Sequence, residues 1–203
     1  MSDAFGLALH QPPTALAGLM TSDLFVLFTK NKLERSKNIL LEEIKNGSRL
    51  PSEVDYDTFF GLIYRYADAV KRGTAERNLR LMAQVITNGA TKDCGFTPDV
   101  LASHMSTLAD LRRDEINALA TLFRNCIAVT PGNEIGRNIS MTEKTARELV
   151  PLVFSDDNEF YSCLDAITRT GLIYRQRVID GGFGLSIRFH EIARLCEINV
   201  PAS

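Results

Sequence analysis

The side chains best placed to do chemistry in this sequence fall into three charged groups. Asp156, Asp157 and Glu159 crowd the start of an apolar-periodic segment. Carboxylates at a helix N-terminus are favoured by the backbone dipole, and a cluster of them could receive a basic partner. Arg175, Arg177 and Arg188 lie in segments where apolar and polar residues alternate, with Arg169 just ahead of them. Guanidinium groups on one face of such a segment could grip phosphates, or an acidic partner, without reading bases. Arg65, Arg72, Arg77 and Arg80, with Lys71 and Asn78, surround Gly73 and form a candidate anion patch. Asp68 and Glu76 are interleaved among them at spacings that allow pairing along a helix, so a solvated face laced with ion pairs is the favoured reading of that patch.

No catalytic or metal array accompanies these groups. His10, His104 and His190 are dispersed, and Cys94 with His104, or His190 with Cys196, could supply only two ligands of a zinc tetrahedron. No serine sits in a GxSxG elbow, and no P-loop or GxGxxG opens a helix. Gly181, Gly182 and Gly184 stand between two strand-like stretches, where a turn explains them. The expectation is a non-enzyme without cofactor or metal. Cys94, Cys126, Cys163 and Cys196 lie more than thirty residues apart without a CxxC pair, the pattern of core thiols in a reducing compartment, which points to a cytoplasmic protein. The longest early apolar stretch, Leu24 to Phe28, is far below the ~20 residues a bilayer span needs, and no basic leader precedes an apolar run, so neither secretion nor membrane insertion is expected.

The 203 residues carry 45% apolar and 24% charged side chains, a globular composition that can bury a core. With 23 basic and 25 acidic residues there is no global attraction for phosphate backbones, so any nucleic-acid contact must be local.

The elements that must position these groups are mostly helical. Residues 1–13, with Gly6, Pro12 and Pro13, read as a loose arm. Residues 14–128 read as a helical region. Ala15 to Phe28 suggests a first helix that Gly18 or the Thr21-Ser22-Asp23 cluster could split, and Lys32 to Asn46 a second. Tyr56, Phe59, Phe60, Ile63, Tyr64, Ala67 and Val70 form an apolar stripe at helical spacing. Gly73 and Thr74 interrupt it before Leu79, Met82, Ala83 and Ile86 resume it; two helices joined by a tight turn and one kinked helix fit equally. Thr97-Pro98-Asp99 reads as a cap, a first-turn proline and an acid, and Asp114 and Glu115 suit the start of the next helix. Aromatic side chains are dense among Phe25, Phe28, Phe59, Phe60, Tyr64 and Tyr66; Tyr66 lies off the main stripe, which predicts uncovered aromatic surface and self-association.

Pro131-Gly132-Asn133 and Gly136 place a junction at residues 129–139, and residues 140–203 read as a second unit that could share the helix of residues 113–128. Ser140 and Glu143 form a capping-box pattern for a short helix that Pro151 should kink or shorten. Ser155-Asp156-Asp157 caps a second helix, and Gly171 before Leu172 reads as its left-handed C-cap. Leu172 to Ile179 and Leu185 to Phe189 then alternate as a β-hairpin. Its expected register sets Leu172 opposite Phe189, Tyr174 opposite Ile187 and Gln176 opposite Leu185, with Arg175, Arg177, Ser186 and Arg188 together on the other face.

A short helix, a second helix ending in Gly171-Leu172-Ile173, and a hairpin resemble the winged helix-turn-helix superfamily in its MarR-type order over roughly residues 113–197. The resemblance implies a mainly α fold whose small C-terminal α+β unit holds one β-hairpin. In DNA-binding members the second helix of the motif enters the major groove, a position that falls on Asp157 to Thr170 here. The carboxylates of Asp156, Asp157, Glu159 and Asp165 would face a polyanion with only Arg169 opposing them. The expected function is therefore a non-enzymatic interaction or regulatory module with a protein partner. The alternative is a transcription-regulator-like protein that contacts duplex DNA through its arginine-bearing wing.

Overall fold

Apolar residues recurring every three to four positions build eight α-helices and two short strands among the described residues of the computed structural model, which are 22–46, 55–91, 94–128, 134–176 and 182–196. The helices are α1 (Ser22–Asn46), α2 (Tyr56–Arg72), α3 (Glu76–Gly89), α4 (Pro98–Asp110), α5 (Arg113–Ala128), α6 (Glu134–Leu149), α7 (Asp157–Thr168) and α8 (Ile187–Leu195). The strands are β1 (Ile173–Arg175) and β2 (Phe183–Leu185), paired antiparallel. The molecule is thus mainly helical with one small hairpin.

Helix α3 is the hub. It packs against α1, α2, α4 and α8, and Leu79, Met82, Val85 and Ile86 on it are almost fully buried. At its start Asn78 is buried as well, and its Nδ2 donates to the carbonyls of Leu108 and Leu111 at 2.7 Å each, satisfying the C-terminal end of α4. A single cluster of buried residues runs from Leu62 to Cys196. The C-terminal elements join it through α5 and α8, where the rings of Phe123 and Phe189 stand 5.3 Å apart.

The cap expected at Thr97 forms. Thr97 Oγ1 accepts from the Val100 N–H at 3.4 Å with Pro98 at the first helical position. Gly73 ends α2 at φ +92, and the N–H groups of Gly73 and Thr74 donate to the carbonyls of Val70 and Ala69, so α2 and α3 are separate helices. Gly171 takes the expected positive φ of +70, but the C-cap of α7 is Arg169, two residues earlier and right-handed.

Four expectations are corrected. The two helices expected over residues 15–28 and 32–46 are joined: α1 runs unbroken from Ser22 to Asn46, while residues 15–21 lie outside the described residues. The stripe on α2 is rotated. Tyr66 is 4% exposed and donates to the Ser36 carbonyl at 2.8 Å, whereas Tyr56, Phe60 and Tyr64 face out. The buried set Leu62, Tyr66, Ala69 and Val70 keeps helical spacing, so periodicity allowed either face and packing against α1 and α3 selected one. Ser140 caps nothing, since α6 already includes Glu134; Asn138, Met141, Thr142 and Thr145 give it a buried face that extends the helix past the expected start. It does end at Leu149, just before Val150 and Pro151, because a proline disfavours the helical conformation of the residue ahead of it.

The fourth correction concerns the hairpin. Ile173 pairs with Leu185, Tyr174 with Gly184 and Arg175 with Phe183, and Ile187 to Phe189 belong to α8 rather than to a strand. Ser186 turns the chain: its Oγ accepts from the Phe189 N–H at 3.2 Å and donates to the Gly171 carbonyl at 2.6 Å. The hairpin docks on α6, where Thr142 Oγ1 accepts from the Phe183 N–H at 2.9 Å. A Cβ on Gly182 would collide with the backbone of Asn138 and Ile139, so that approach requires glycine. Residues 177–181, with the expected turn and Arg177, lie outside the described residues.

Candidate functional site

The acidic start of α7 is built by its own caps. Asp156 Oδ1 accepts from the Glu159 N–H at 2.9 Å, and Glu159 Oε2 accepts from the backbone N–H and the hydroxyl of Ser155 at 2.7 Å each. Those bonds from Ser155 hold the Glu159 carboxyl below its usual range. Asp157 is exposed and makes no hydrogen bond or ion pair among the described residues. Two of the three acids are therefore committed to the helix end, and Asp157 alone keeps its full valence for a partner. Beside it the turn between α6 and α7 exposes Leu152 by 84% and Val153 by 39%. One turn into α7, Tyr161 is 39% exposed, with its ring against Phe160. Exposed acid and apolar side chains thus lie close in sequence around the start of α7.

The described arginines of the expected wing, Arg175 and Arg188, are dispersed. Arg175 is on β1, directed to Asp165 at 3.4 Å and over the Phe183 ring at 5.8 Å. Arg188 sits in α8, half-buried, and its Nη2 donates to Ser103 Oγ at 2.9 Å, to the Ser103 carbonyl at 3.1 Å and to Thr107 Oγ1 at 2.6 Å. It fastens α8 to α4 and is not on the hairpin. Arg169 binds Glu115, with Nη1 to Oε1 at 2.6 Å, and the Ala166 carbonyl at the end of its own helix.

The candidate anion patch is largely neutralised. Arg72 lies 3.1 Å from Asp68, one turn earlier, and Arg80 lies 3.0 Å from Glu42 and 3.3 Å from Glu43 on α1. Glu76 turns to Arg35 of α1 at 2.6 Å, and Arg77 donates to Asn117 Oδ1 at 2.6 Å. Arg65 alone of the four lacks a partner among the described residues. It lines two open hollows between α2 and α4, of about 430 and 370 Å³, that meet at Gly61.

Three features escaped the reading of the residues. Glu115 has a fully buried side chain between Arg169 and Arg112, whose N–H donates to Oε2 at 2.8 Å. Burial opposes the charge of Glu115, but the bonds from Arg169 and Arg112 outweigh it and hold the carboxyl below its usual range. His104 is 2% exposed at the joint of α4 and α8; Glu191 Oε2 lies 3.2 Å from its Nε2, outside hydrogen-bonding geometry, and burial pulls its pKa down. The third is the face of α2 that turns outward: uncovered aromatic surface was expected at Tyr66, but it lies at Tyr56, Phe60 and Tyr64. Only Glu115 had a visible signal, its place at the third position of a helix, where a glutamate returns to the N-cap N–H. His104 faces Glu191 of α8, and Arg188 of α8 reaches Ser103 and Thr107 of α4, each across some eighty residues, and such pairings leave no local trace.

The described residues bring together no group of three or more His, Cys, Asp or Glu side chains able to hold a metal ion, and no described helix is long and apolar enough to cross a membrane. Burial pushes the Cys163 and Cys196 thiols up to about 12, which leaves them protonated at neutral pH. Comparison with protein-family models, with curated proteins and with solved structures found no match for this chain, so its function is read from geometry alone.

Proposed function

We propose that this chain is a non-enzymatic interaction module, regulatory in character, built on a winged-helix-like C-terminal unit, and that its partner docks at the start of α7. The order α5, α6, α7, β1, β2 supports the winged-helix reading. The observation that carries the docking surface is the uncommitted carboxylate of Asp157 with the exposed side chains of Leu152, Val153 and Tyr161 close to it in sequence. A protein segment with basic and apolar residues complements such a surface, with the apolar contact supplying affinity and the charge supplying orientation.

Duplex DNA is the competing partner, and its support is Arg175 with Arg177. Arg175 already faces Asp165, and Arg188 is spent on the α4–α8 joint, so few cations remain for the phosphate contacts that dominate DNA affinity.

Two measurements separate the readings. Fluorescence anisotropy with mixed-sequence duplex at low salt should show no saturable binding by the wild type or by the variant Asp156→Asn, Asp157→Asn, Glu159→Gln. Binding that strengthens on neutralisation overturns the module reading in favour of DNA. In crosslinked capture from native extract, the proteins retained by the wild type should also be retained by Arg175→Ala and lost by Leu152→Asp and Asp157→Lys.

A further inference from the structure

Helix α2 presents two adjacent outward stripes. Tyr56, Phe60 and Tyr64, each one turn apart, are 64%, 64% and 76% exposed. Next to them run Asp57, Gly61 and Arg65 at the same spacing, also exposed. Monomeric proteins seldom leave three aromatic rings in line on one helix face. The inner edge of the stripe is fixed, because half-buried Phe59 packs on the core and meets Phe60 edge-on at 5.9 Å between centroids.

Gly61 lies near the middle of α2, where glycine costs roughly 1 kcal/mol relative to alanine. A Cβ there would meet nothing within 4 Å, so no contact within the chain requires it. It is the shared floor of the two hollows: one extends toward Asp68 and Arg72, the other toward Asp57 and Pro98. A small residue between two open hollows on an exposed helix suits the close crossing of another helix.

The charges say which helix. Asp57 is four residues before Gly61 and Arg65 four after, and neither makes an ion pair or hydrogen bond among the described residues. In an antiparallel crossing about a two-fold axis at Gly61, residue 61−n of one copy faces residue 61+n of the other. Asp57 then meets Arg65 of the second copy, and the same contact repeats on the other side of the axis, as an isologous interface demands. The axis lies in the interface, so the aromatic stripes of the two copies fall on the same side and meet, Phe60 near Phe60 and Tyr56 near Tyr64.

From this self-complementarity we infer that α2 is a homodimer surface: two copies of this chain cross antiparallel at Gly61, joined by reciprocal Asp57–Arg65 pairs and the stacked stripes of Tyr56, Phe60 and Tyr64. The inference is independent of the partner proposed for α7, which shares no residue with it.

Sedimentation equilibrium of the full chain tests it. The wild type should be dimeric at micromolar concentrations. Asp57→Arg or Arg65→Asp alone turns both reciprocal pairs into like-charge pairs and should weaken the dimer by about tenfold or more. An equimolar mixture of those two variants should recover a heterodimer, because every contact in it again joins Arg to Asp. Phe60→Asp should abolish association, and Gly61→Leu should do so by blocking the crossing. All four positions are exposed, so the melting of the variant monomers should show them folded. A wild type that stays monomeric at high micromolar concentration overturns the inference. So does a dimer indifferent to these substitutions, or a mixture of charge variants that does not associate.

Discussion

Glu115 is the one carboxylate in the buried set of described residues, and its charge is tolerated because two arginines surround it. Removing Arg169 takes away a charged donor to a buried carboxylate while Arg112 stays beside it, a loss on the order of 2 kcal/mol. Arg169→Ala should therefore lower the denaturant midpoint by about that much, and adding Glu115→Leu should restore much of the loss, since a buried pair is replaced by apolar contact with little penalty. A role for Arg169 in partner binding alone predicts no change in the midpoint. The folded pKa of Glu115 is depressed, so its contribution is full above the unfolded value of about 4.3 and is lost as pH falls through the folded one. His104 acts earlier on the same descent. Burial lowers its pKa against the pull of Glu191, with Arg188 adding to the lowering. Below about pH 6.5 the unfolded chain binds the proton more readily than the folded one, so stability falls with pH there. Urea midpoints between about pH 7.5 and about pH 5.5 should decline in the wild type and decline less in His104→Gln.

Helix α8 shows how local and distant forces share one element. Leu185, Ile187 and Phe189 alternate with Ser186 and Arg188 in the manner of a strand, but Phe189, Ile192, Ala193 and Cys196 are buried at helical spacing, and Ile187 stands 80% exposed. The Ser186 cap starts the helix, and Arg188 ties its first turn to α4. Ser186→Ala should cost about 1 kcal/mol, the usual loss of an N-cap. Arg188→Ala should cost about 2 kcal/mol, because three acceptors on α4 lose a charged donor. An arginine on a solvated wing face would cost within about 0.5 kcal/mol, so thermal denaturation of Arg188→Ala separates the two placements directly.

At the scale of the whole molecule, the core crosses the junction near residue 130. Phe189 and Ile192 of α8 share a small apolar cavity of about 170 Å³ with Leu108, Leu111, Ile116 and Leu119 of the preceding helices. Asn88 of α3 donates to the Leu195 carbonyl at 2.8 Å, and Arg194 Nη2 donates to the Cys94 carbonyl at 3.1 Å. A fragment of residues 140–203 would expose the buried faces of α7 and α8 and lose these bonds. It should show no cooperative thermal transition by circular dichroism, whereas the full chain should unfold in one; a sharp transition in the fragment would mean that the C-terminal unit is self-sufficient.

The residues by themselves determined the helical character of the chain, the caps at Thr97 and Asp156, and the left-handed glycine at Gly171. Each of these depends on a few neighbouring groups, a side-chain oxygen meeting an N–H three residues on or a glycine free to take positive φ, and such chemistry is written locally. The alternation of residues 185–189, the face of α2 turned inward and the fate of each arginine were decided only by tertiary structure. Helical and strand periodicities both fit five residues with three apolar ones, and a stripe of seven apolar residues on a helix can be rotated without changing its period. What chose between them were contacts with Ser36, Ser103 and Thr107, brought to Tyr66 and Arg188 from 30, 85 and 81 residues away. Pairing over such separations depends on how every intervening helix packs, and no local pattern encodes it.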